Sequence, residues 1–385
     1  MIEQVGTPTP FFTLSMADLH WPELHKKIAT LEGGENAVED NISATEAFRR
    51  RHQNLRNFPH IAAAFLRHKW TILKETVLDH IVCQPGAAPV TDYWMRVEWQ
   101  ARGSGHIHGF LWYEGAPDLE QLDWENAEAV AAATSFFSPC ITAYNPLPNA
   151  RRPQRDATSY DMTSPAVRAN RDVEQDHGEL ANRVQMHGKV VRGSRQCCMS
   201  SGCLLRRQGR LKCRFDAPWP INDTADLTAG QDGKRQPTFR PQRNDQWLNQ
   251  HNKLMLLCWR ANCDLQPVLD RRSAQSYVAK YVSKGEEETM SYKLLLQRAE
   301  DQMEDDVPVF RVVQRMLIRT LGERDITAQE TMHLLLQLEL VECSRQFASL
   351  AGNLQMAENL ERFVLNAVGR GPGLTARITM ISSNT

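Results

Sequence analysis

The stretch that most constrains the fold is residues 99–112, which read WQARGSGHIHGFLW. Its short apolar run around two histidines favours a β-strand, on which successive side chains point to opposite faces. His106 and His108 therefore share one face, roughly 7 Å apart, and Phe110 lies on that face as well. Ile107 points to the other face, towards the core. The sequence predicts a strand that carries two neighbouring histidines.

The segment RGSG at residues 102–105 predicts a turn, so that residues 96–100 form the partner strand of a hairpin. Two imidazoles on one strand face can hold one divalent cation and leave positions for water or substrate. Glu98 or Gln100 could bring an oxygen to that cation. Glu98 is favoured, because a carboxylate supplies charge to a hard cation. The alternative is a histidine pair that only makes hydrogen bonds at a sheet edge.

A second informative segment reads YVAKYVSKG and follows three polar residues, RRS. If it is helical, Tyr277 and Tyr281 are four residues apart and share a face, as do Lys280 and Lys284. Gly285 is a suitable C-terminal cap. A tyrosine hydroxyl has an ordinary pKa of about 10 and needs a nearby cation, or polarisation of the group it attacks, to act as a nucleophile. The alternative is an ordinary amphipathic helix with two half-buried tyrosines.

These segments make the sequence resemble the Rep endonuclease (HUH nuclease) of Helitron rolling-circle transposons, from about residue 11 to residue 347. The matching segments, in chain order, are 11–24 (FFTLSMADLHWPEL), 92–112 (DYWMRVEWQARGSGHIHGFLW), the cysteine segment that ends at 212–220 (KCRFDAPWP), 252–268 (NKLMLLCWRANCDLQPV), 277–285 (YVAKYVSKG) and 322–347 (GERDITAQETMHLLLQLELVECSRQF). Six segments in the family order make a chance match improbable.

The resemblance implies nicking and strand transfer on single-stranded DNA at transposon ends, through a 5′-phosphotyrosine bond and a free 3′-OH. It assigns Mg²⁺ or Mn²⁺ to the histidine pair and the nucleophiles to the tyrosine pair. The implied metal ligands are His106, His108 and Glu98, with Gln100 as the alternative, and the implied catalytic residues are Tyr277, Tyr281 and Lys280. It also implies a nuclear location. Two tyrosines allow two successive cleavages before the first product is released.

The expected fold is α+β, with a central antiparallel sheet, flanking helices and a cysteine-containing insertion. The predicted units are residues 1–150 with the histidine hairpin, 151–250 as a basic insertion, 251–290 with the tyrosine helix, and 291–385 as a helical extension. In the resembled family a helicase follows. The sequence contains no G-x-x-x-x-G-K-[ST] motif, so we expect a nuclease portion whose helicase lies elsewhere or acts in trans.

The chain has nine cysteines, and its first residues lead us to expect no signal peptide, which favours thiols or metal ligation over a disulfide framework. A zinc site needs four nitrogen or sulfur ligands in a tetrahedral array. The candidates are His187, Cys198, Cys203 and Cys213, whose spacing is looser than that of paired C-x-x-C motifs. The alternative is a set of free thiols in a small basic loop.

The overall charge of −1 means that nucleic-acid binding must come from local basic patches. Residues 189–214 contain eight basic and no acidic side chains, which suits sequence-independent contacts with phosphates. The candidate DNA-binding residues are Arg206, Arg207, Arg210, Lys212, Arg214 and Lys284. No apolar run approaches 18 residues, so no membrane span is expected.

Two other classes of function stay open from the sequence. One is a DNA-binding remnant that keeps the Rep fold without activity, and the other is a metal-dependent hydrolase. The hydrolase leaves the tyrosine pair unexplained. Covalent capture of DNA distinguishes all three, because only the tyrosine nuclease forms it.

Overall fold

The structure is a computed structural model, and the residues it describes are 1–31, 42–78, 89–100, 103–148, 172–187, 189–192, 195–198, 203–207, 210–230, 237–282 and 327–345. The helices are α1 (Ile2–Val5), α2 (Pro22–Leu31), α3 (Ala44–Asn57), α4 (Pro59–Leu73), α5 (Ala127–Phe137), α6 (Val173–Leu180), α7 (Lys253–Trp259), α8 (Arg271–Val282) and α9 (Ala328–Leu335). The strands are β1 (Pro10–Ser15), β2 (Val90–Trp99), β3 (Gly105–Tyr113), β4 (Lys189–Arg192), β5 (Arg195–Cys198), β6 (Leu204–Arg207), β7 (Arg210–Cys213), β8 (Asp226–Thr228), β9 (Thr238–Arg240), β10 (Cys263–Pro267) and β11 (Val341–Cys343).

The central element is a five-stranded sheet in the order β10-β1-β3-β2-β11, in which every neighbouring pair is antiparallel. Three two-stranded sheets, β4-β5, β6-β7 and β8-β9, lie in the region predicted as an insertion. The α+β class with a central antiparallel sheet and flanking helices is therefore confirmed. Among the described residues, no helix combines the length and apolar character needed to cross a bilayer.

Alternation along the strands gives the sheet two different faces. One face packs into the main core, and its buried side chains include Phe12, Leu14, Met95, Val97, Ile107 and Leu111. Gly109 permits close packing there, because a Cβ at this position would lie 2.5 Å from both the Phe12 ring and the Trp94 carbonyl oxygen. The opposite face carries the two histidines, as the period of two predicts.

Two predicted elements differ from the structure. The partner strand of the hairpin spans Val90–Trp99, so it is longer than the predicted 96–100. The extension predicted to be helical over 291–385 contains the strand β11 as well as α9. Helix α9 ends at Leu335, since Gln337 adopts a left-handed φ of 52° and the chain then returns to the sheet.

The edge strand β11 pairs with β2, and the carboxylate of Glu342 adds side-chain contacts to the rest of the fold. It accepts hydrogen bonds from Trp70 Nε1 at 3.2 Å, Lys74 Nζ at 2.9 Å and Tyr93 Oη at 2.7 Å, and it pairs with Arg67. Burial alone would raise the pKa of Glu342, but the donors and cations around it outweigh burial and lower the pKa. This cluster attaches the segment at 327–345 to helix α4 and strand β2.

A buried histidine pair joins helix α6 to the segment before α7. His177 Nε2 lies 2.9 Å from His251 Nε2, and His251 Nδ1 lies 3.0 Å from the Asn249 carbonyl oxygen. Because a carbonyl only accepts, His251 Nδ1 donates to it, and His251 Nε2 then accepts the proton of His177. His251 is therefore neutral in this arrangement, and burial keeps both rings neutral, because it lowers the pKa of His177 to about 4 and that of His251 to about 3.

Because of the buried pair of His177 and His251, we expect the protein to lose stability in acid. In the unfolded chain both histidines have a pKa of about 6.5, so the unfolded state binds more protons below that pH. The stabilisation is complete above pH 6.5 and is lost as the pH falls, by up to about 1.4 kcal/mol per pH unit for each ring. Urea unfolding between pH 7 and pH 4 measures this slope. Replacing both rings by glutamine should flatten the slope, whereas His68→Gln at an exposed position should leave it unchanged.

Candidate metal and tyrosine site

The two histidines of β3 are oriented by hydroxyl groups on the neighbouring strand β1. Thr13 Oγ1 lies 3.0 Å from His108 Nδ1, and Ser15 Oγ lies 3.4 Å from His106 Nδ1. The two imidazole rings stack with centroids 6.1 Å apart and planes inclined by 18°. A hydroxyl at Nδ1 fixes each ring and makes Nε2 the nitrogen that would bind a cation. The predicted sharing of one face is thus what the structure contains.

A carboxylate from the partner strand contacts one of the two histidines. Glu98 is paired with His106 in the register, and its Oε2 lies 3.0 Å from His108 Nε2. Gln100 lies beyond the end of β2, in the turn, where its backbone N–H donates to the Ser104 carbonyl oxygen at 3.0 Å. Glu98 is therefore the better placed of the two predicted oxygen ligands.

The tyrosine segment is helical, as predicted, and lies over the histidine face. The ring centroid of Tyr277 on α8 is 4.5 Å from that of Phe11, 5.8 Å from that of Phe110 and 6.3 Å from that of His108. The phenol is half-buried in an apolar cluster that includes Val268. Residues that are distant in sequence thus meet at one place: a strand histidine and a helix tyrosine.

For the other predicted residues of this segment, the structure does not describe the side chains. Tyr281 lies in α8 about one turn beyond Tyr277, and Lys280 lies slightly less than one turn beyond it. The side chains of both residues are outside the described part of the structure. Lys284 lies outside the described residues altogether. The shared face of Tyr277 and Tyr281 stays a prediction from the helical period.

The site face also carries polar residues to which the sequence analysis gave no role. Thr13 is paired in the register with His108 on one side and with Asp264 of β10 on the other. Gln266 Nε2 donates to Asp264 Oδ2 at 2.8 Å, and burial raises the pKa of Asp264 to about 6. Arg96 of β2 lies opposite His108. The period of two along a strand could have placed Arg96 beside Glu98 from the sequence alone. The positions of Thr13 and Asp264 could not be predicted without the order of the strands.

A separate cluster of nitrogen and sulfur atoms forms in the predicted insertion. His187 Nε2 lies 3.2 Å from Cys203 Sγ and 3.3 Å from Cys213 Sγ, and the two sulfur atoms are 3.3 Å apart. In the described part of the chain, this is the one group of three or more potential ligands whose atoms all lie within 4.8 Å of one another. Cys198, the fourth predicted ligand, is on β5, and its side chain lies outside the described part.

Aromatic rings surround this cluster. The His187 ring stacks on Trp247 with centroids 6.4 Å apart, and Phe215 and Trp219 approach it at 5.6 Å. Burial, followed by the charge of Arg214, lowers the pKa of His187, which favours the neutral ring that binds metals. Three of the four predicted zinc ligands are thus brought together.

Five of the six predicted DNA-binding residues, all except Lys284, lie beside this cluster along the chain. Arg206, Arg207 and Arg210 belong to the β6–β7 hairpin, but their side chains are outside the described part. Lys212 and Arg214 are exposed, and the Arg214 guanidinium lies 4.5 Å from the Phe215 ring centroid.

Comparison with known families adds one finding. Residues 1–111 match the model of the Helitron helicase-like domain at N-terminus. This part of the chain is Helitron-related. The Helitron-related part contains β1, β2 and most of β3, with both histidines and Glu98, and it ends before the cysteine cluster and the tyrosine helix. A search of curated proteins found no match to the chain.

Proposed function

We propose that the protein is a metal-dependent nuclease that nicks single-stranded DNA and transfers the strand through a 5′-phosphotyrosine bond. The match of residues 1–111 to a Helitron domain model supports a role in transposition. The observation that carries the proposal is the position of the Tyr277 ring, whose centroid is 6.3 Å from that of His108, while His108 itself contacts Glu98.

The chemical types of the donors suit a divalent cation, and a bound ion would draw them closer, since their ligand atoms do not all lie within 4.8 Å of one another in this structure. His106 and His108 offer imidazole nitrogens and Glu98 offers a carboxylate oxygen, a combination that suits Mg²⁺ or Mn²⁺ when other positions remain for water and phosphate. Such a cation, when bound, would polarise the scissile phosphate. The hydroxyls of Thr13 and Ser15 hold the two rings in orientation for this role.

The chain's own residues provide the covalent step. The Tyr277 hydroxyl loses its proton and its oxygen forms a bond to phosphorus, while the bond from phosphorus to the 3′ oxygen of the preceding nucleotide breaks. The 3′ oxygen takes up a proton and leaves as a 3′-OH. Lys280 offsets the negative charge that develops on the phosphate. Because the phosphodiester energy is kept in the tyrosine linkage, a 3′-OH can reverse the step and join strands.

Tyr277 is the first nucleophile in this proposal, and Tyr281 serves the second cleavage. The position of the Tyr277 ring against His108 supports this order. A second tyrosine on the same helix face allows a second strand to be cut while the first remains attached. The same proposal includes DNA contacts by the basic β6–β7 hairpin. It also includes action at transposon ends in the nucleus, with a helicase supplied elsewhere.

Covalent capture tests the proposal. Labelled single-stranded DNA would be incubated with the protein and Mn²⁺, and the products separated on a denaturing gel. We expect an adduct that survives denaturation and disappears when the cation is chelated. DNA binding without an adduct, on several sequences and with folded protein, would favour the inactive remnant. Cleavage without an adduct would identify water as the nucleophile and favour the hydrolase.

We also propose that His187, Cys203 and Cys213 bind Zn²⁺, with Cys198 or a water molecule as the fourth ligand. The support is the mutual approach of the three ligand atoms to within 3.3 Å, together with the aromatic shell around them. Thiolate and imidazole ligands are those that zinc prefers. The bound ion would hold the β6–β7 hairpin against the segment around His187.

The zinc proposal predicts about one zinc per chain and a melting temperature that falls when the metal is removed. Elemental analysis and thermal unfolding with and without a chelator measure both quantities. Cys203→Ser should lose the zinc, whereas Cys258→Ser on α7 should keep it. A metal-free preparation with unchanged melting temperature would contradict a structural zinc site.

A further inference from the structure

Arg96 lies beside the histidine pair of the candidate site, and the nuclease reaction proposed above gives it no role. It lies on β2, paired in the register with His108 on one side and with Val341 of β11 on the other. Its chain neighbours Met95 and Val97 are buried in the main core. Alternation along the strand therefore places Arg96 on the opposite face, two residues from Glu98, and its side chain is half-buried there.

The charges of the sheet make this arginine unusual. Arg96 is the only lysine or arginine within the five strands of the central sheet, as the residues of those strands read. The same face carries three carboxylates: those of Glu98 and Asp264, and that of Asp92, which pairs with Arg345. A phosphodiester is an anion, and these carboxylates offset part of the positive charge that the proposed divalent cation would bring to it. Arg96 supplies a permanent positive charge at the histidine pair.

The register brings Arg96 close enough to the histidine pair for its side chain to reach a phosphate bound there. Directly paired residues of antiparallel strands have Cα atoms about 4.5–5.5 Å apart, so the backbone of Arg96 is next to that of His108. A guanidinium is planar, always charged and presents parallel N–H donors that match two oxygens of a phosphate. An ammonium on a lysine stem would supply the charge without that geometry.

We propose that Arg96 binds a non-bridging oxygen of the scissile phosphate, on the side of the histidine pair that faces β11. The inference rests on the proposed nuclease function and adds a phosphate-binding residue to it. In this role the guanidinium holds the phosphate in line with the Tyr277 hydroxyl and stabilises the charge that develops on the oxygens in the transition state.

The first stage of the test uses adduct formation. The wild-type protein would be used to find the nicking position in single-stranded DNA, and the rate would then be measured for Arg96→Ala and Arg96→Lys. Arg96→Ala should lower the rate about 100-fold, the usual effect of losing one preorganised donor at a developing oxyanion. Arg96→Lys should fall between Arg96→Ala and the wild type. Arg56→Ala, at an exposed position on α3, is the matched control for loss of an arginine and should keep the wild-type rate.

The second stage separates contact with phosphate from support of Glu98. DNA binding would be measured in a background with both tyrosines replaced by phenylalanine, on oligonucleotides with either a phosphodiester or a methylphosphonate at the mapped position. With Arg96 present, the neutral methylphosphonate should weaken binding about 10-fold, as expected for loss of a charge-assisted hydrogen bond. With Arg96→Ala, the methylphosphonate should weaken binding clearly less than it does in the presence of Arg96, and the remaining difference is the contribution of the cation.

The outcomes distinguish the two proposals. If the wild type forms no adduct, the nuclease function itself fails. If the wild type forms an adduct and Arg96→Ala forms it at the same rate, the role of Arg96 is wrong and the nuclease stands. If Arg96→Ala is slow but the methylphosphonate weakens binding equally with and without Arg96, the residue acts on Glu98 or on the fold, and contact with the phosphate is excluded.

Discussion

Replacing Tyr277 by phenylalanine is expected to lower the rate of covalent adduct formation by on the order of 10³-fold or more while the protein stays folded. The phenylalanine ring keeps the packing against Phe11 and Phe110, whose centroids are 4.5 Å and 5.8 Å from that of Tyr277. Only the hydroxyl oxygen is lost. Because that oxygen forms the bond to phosphorus in the proposed reaction, its removal eliminates the chemistry without disturbing the site.

The rate would be measured on denaturing gels, with the melting temperature as a check on folding. Tyr144→Phe is a suitable control, because Tyr144 is exposed and remote in sequence from the site. Adding Tyr281→Phe should remove any adduct that Tyr277→Phe still forms. A Tyr277→Phe protein with the wild-type rate would show that Tyr277 is not the first nucleophile. An adduct in the double variant would contradict the tyrosine chemistry as a whole.

The largest expected effect on stability comes from Asp176→Ala. Asp176 on α6 forms a bidentate pair with Arg260, with Oδ2 2.5 Å from Nη1 and Oδ1 3.0 Å from Nη2, and both side chains are only 2 % exposed. Removing the carboxylate leaves a guanidinium that is buried and always charged. Loss of one partner from a buried pair costs about 3–5 kcal/mol, so the free energy of unfolding should fall by that amount.

Urea unfolding at neutral pH measures this change. Glu174→Ala is the matched control, since Glu174 is on the same helix and pairs with Lys253, but its side chain is 64 % exposed. Exposed pairs contribute about 0–1 kcal/mol, so this variant should unfold almost like the wild type. Equal losses in the two variants would mean that Arg260 finds water or another acceptor when Asp176 is absent.

The local elements of the site could be predicted from the sequence because each depends on a short period. The His-x-His pattern predicted a strand with both rings on one face, and the interpretation of residues 277–285 as a helix gave Tyr277 and Tyr281 a shared face. The cap of α9 was also predictable, since Thr327 accepts from the Glu330 N–H at 3.2 Å, as the capping box requires.

What the sequence could not supply were the long-range pairings. The strand order places β1 between β3 and β10, and this order brings Thr13 to His108. The run at residues 341–343 is too short to signal a strand by itself. It pairs with β2, and Glu342 contacts Trp70, Lys74 and Tyr93, which are more than 240 positions away in the sequence. Such contacts are determined by tertiary packing, which local periodicity does not encode.

The cysteine cluster illustrates the same limit. Sixteen positions separate His187 from Cys203, and ten separate Cys203 from Cys213. This spacing matches no tight motif, so composition alone gave the candidates. The β6–β7 hairpin and the contact of His187 with Trp247 bring the three ligand atoms together.

The most direct test of the nuclease proposal is the identity of the residue that becomes attached to DNA. Trypsin cuts after Arg272, Lys280 and Lys284, so Tyr277 and Tyr281 fall in the separate peptides SAQSYVAK and YVSK. Single-stranded DNA would be reacted with the wild-type protein and Mn²⁺, the nucleic acid trimmed by nuclease, and the peptides analysed by mass spectrometry. We predict a nucleotide linked through phosphate to Tyr277 in SAQSYVAK. DNA that is cut while neither peptide carries a nucleotide would contradict the proposed function.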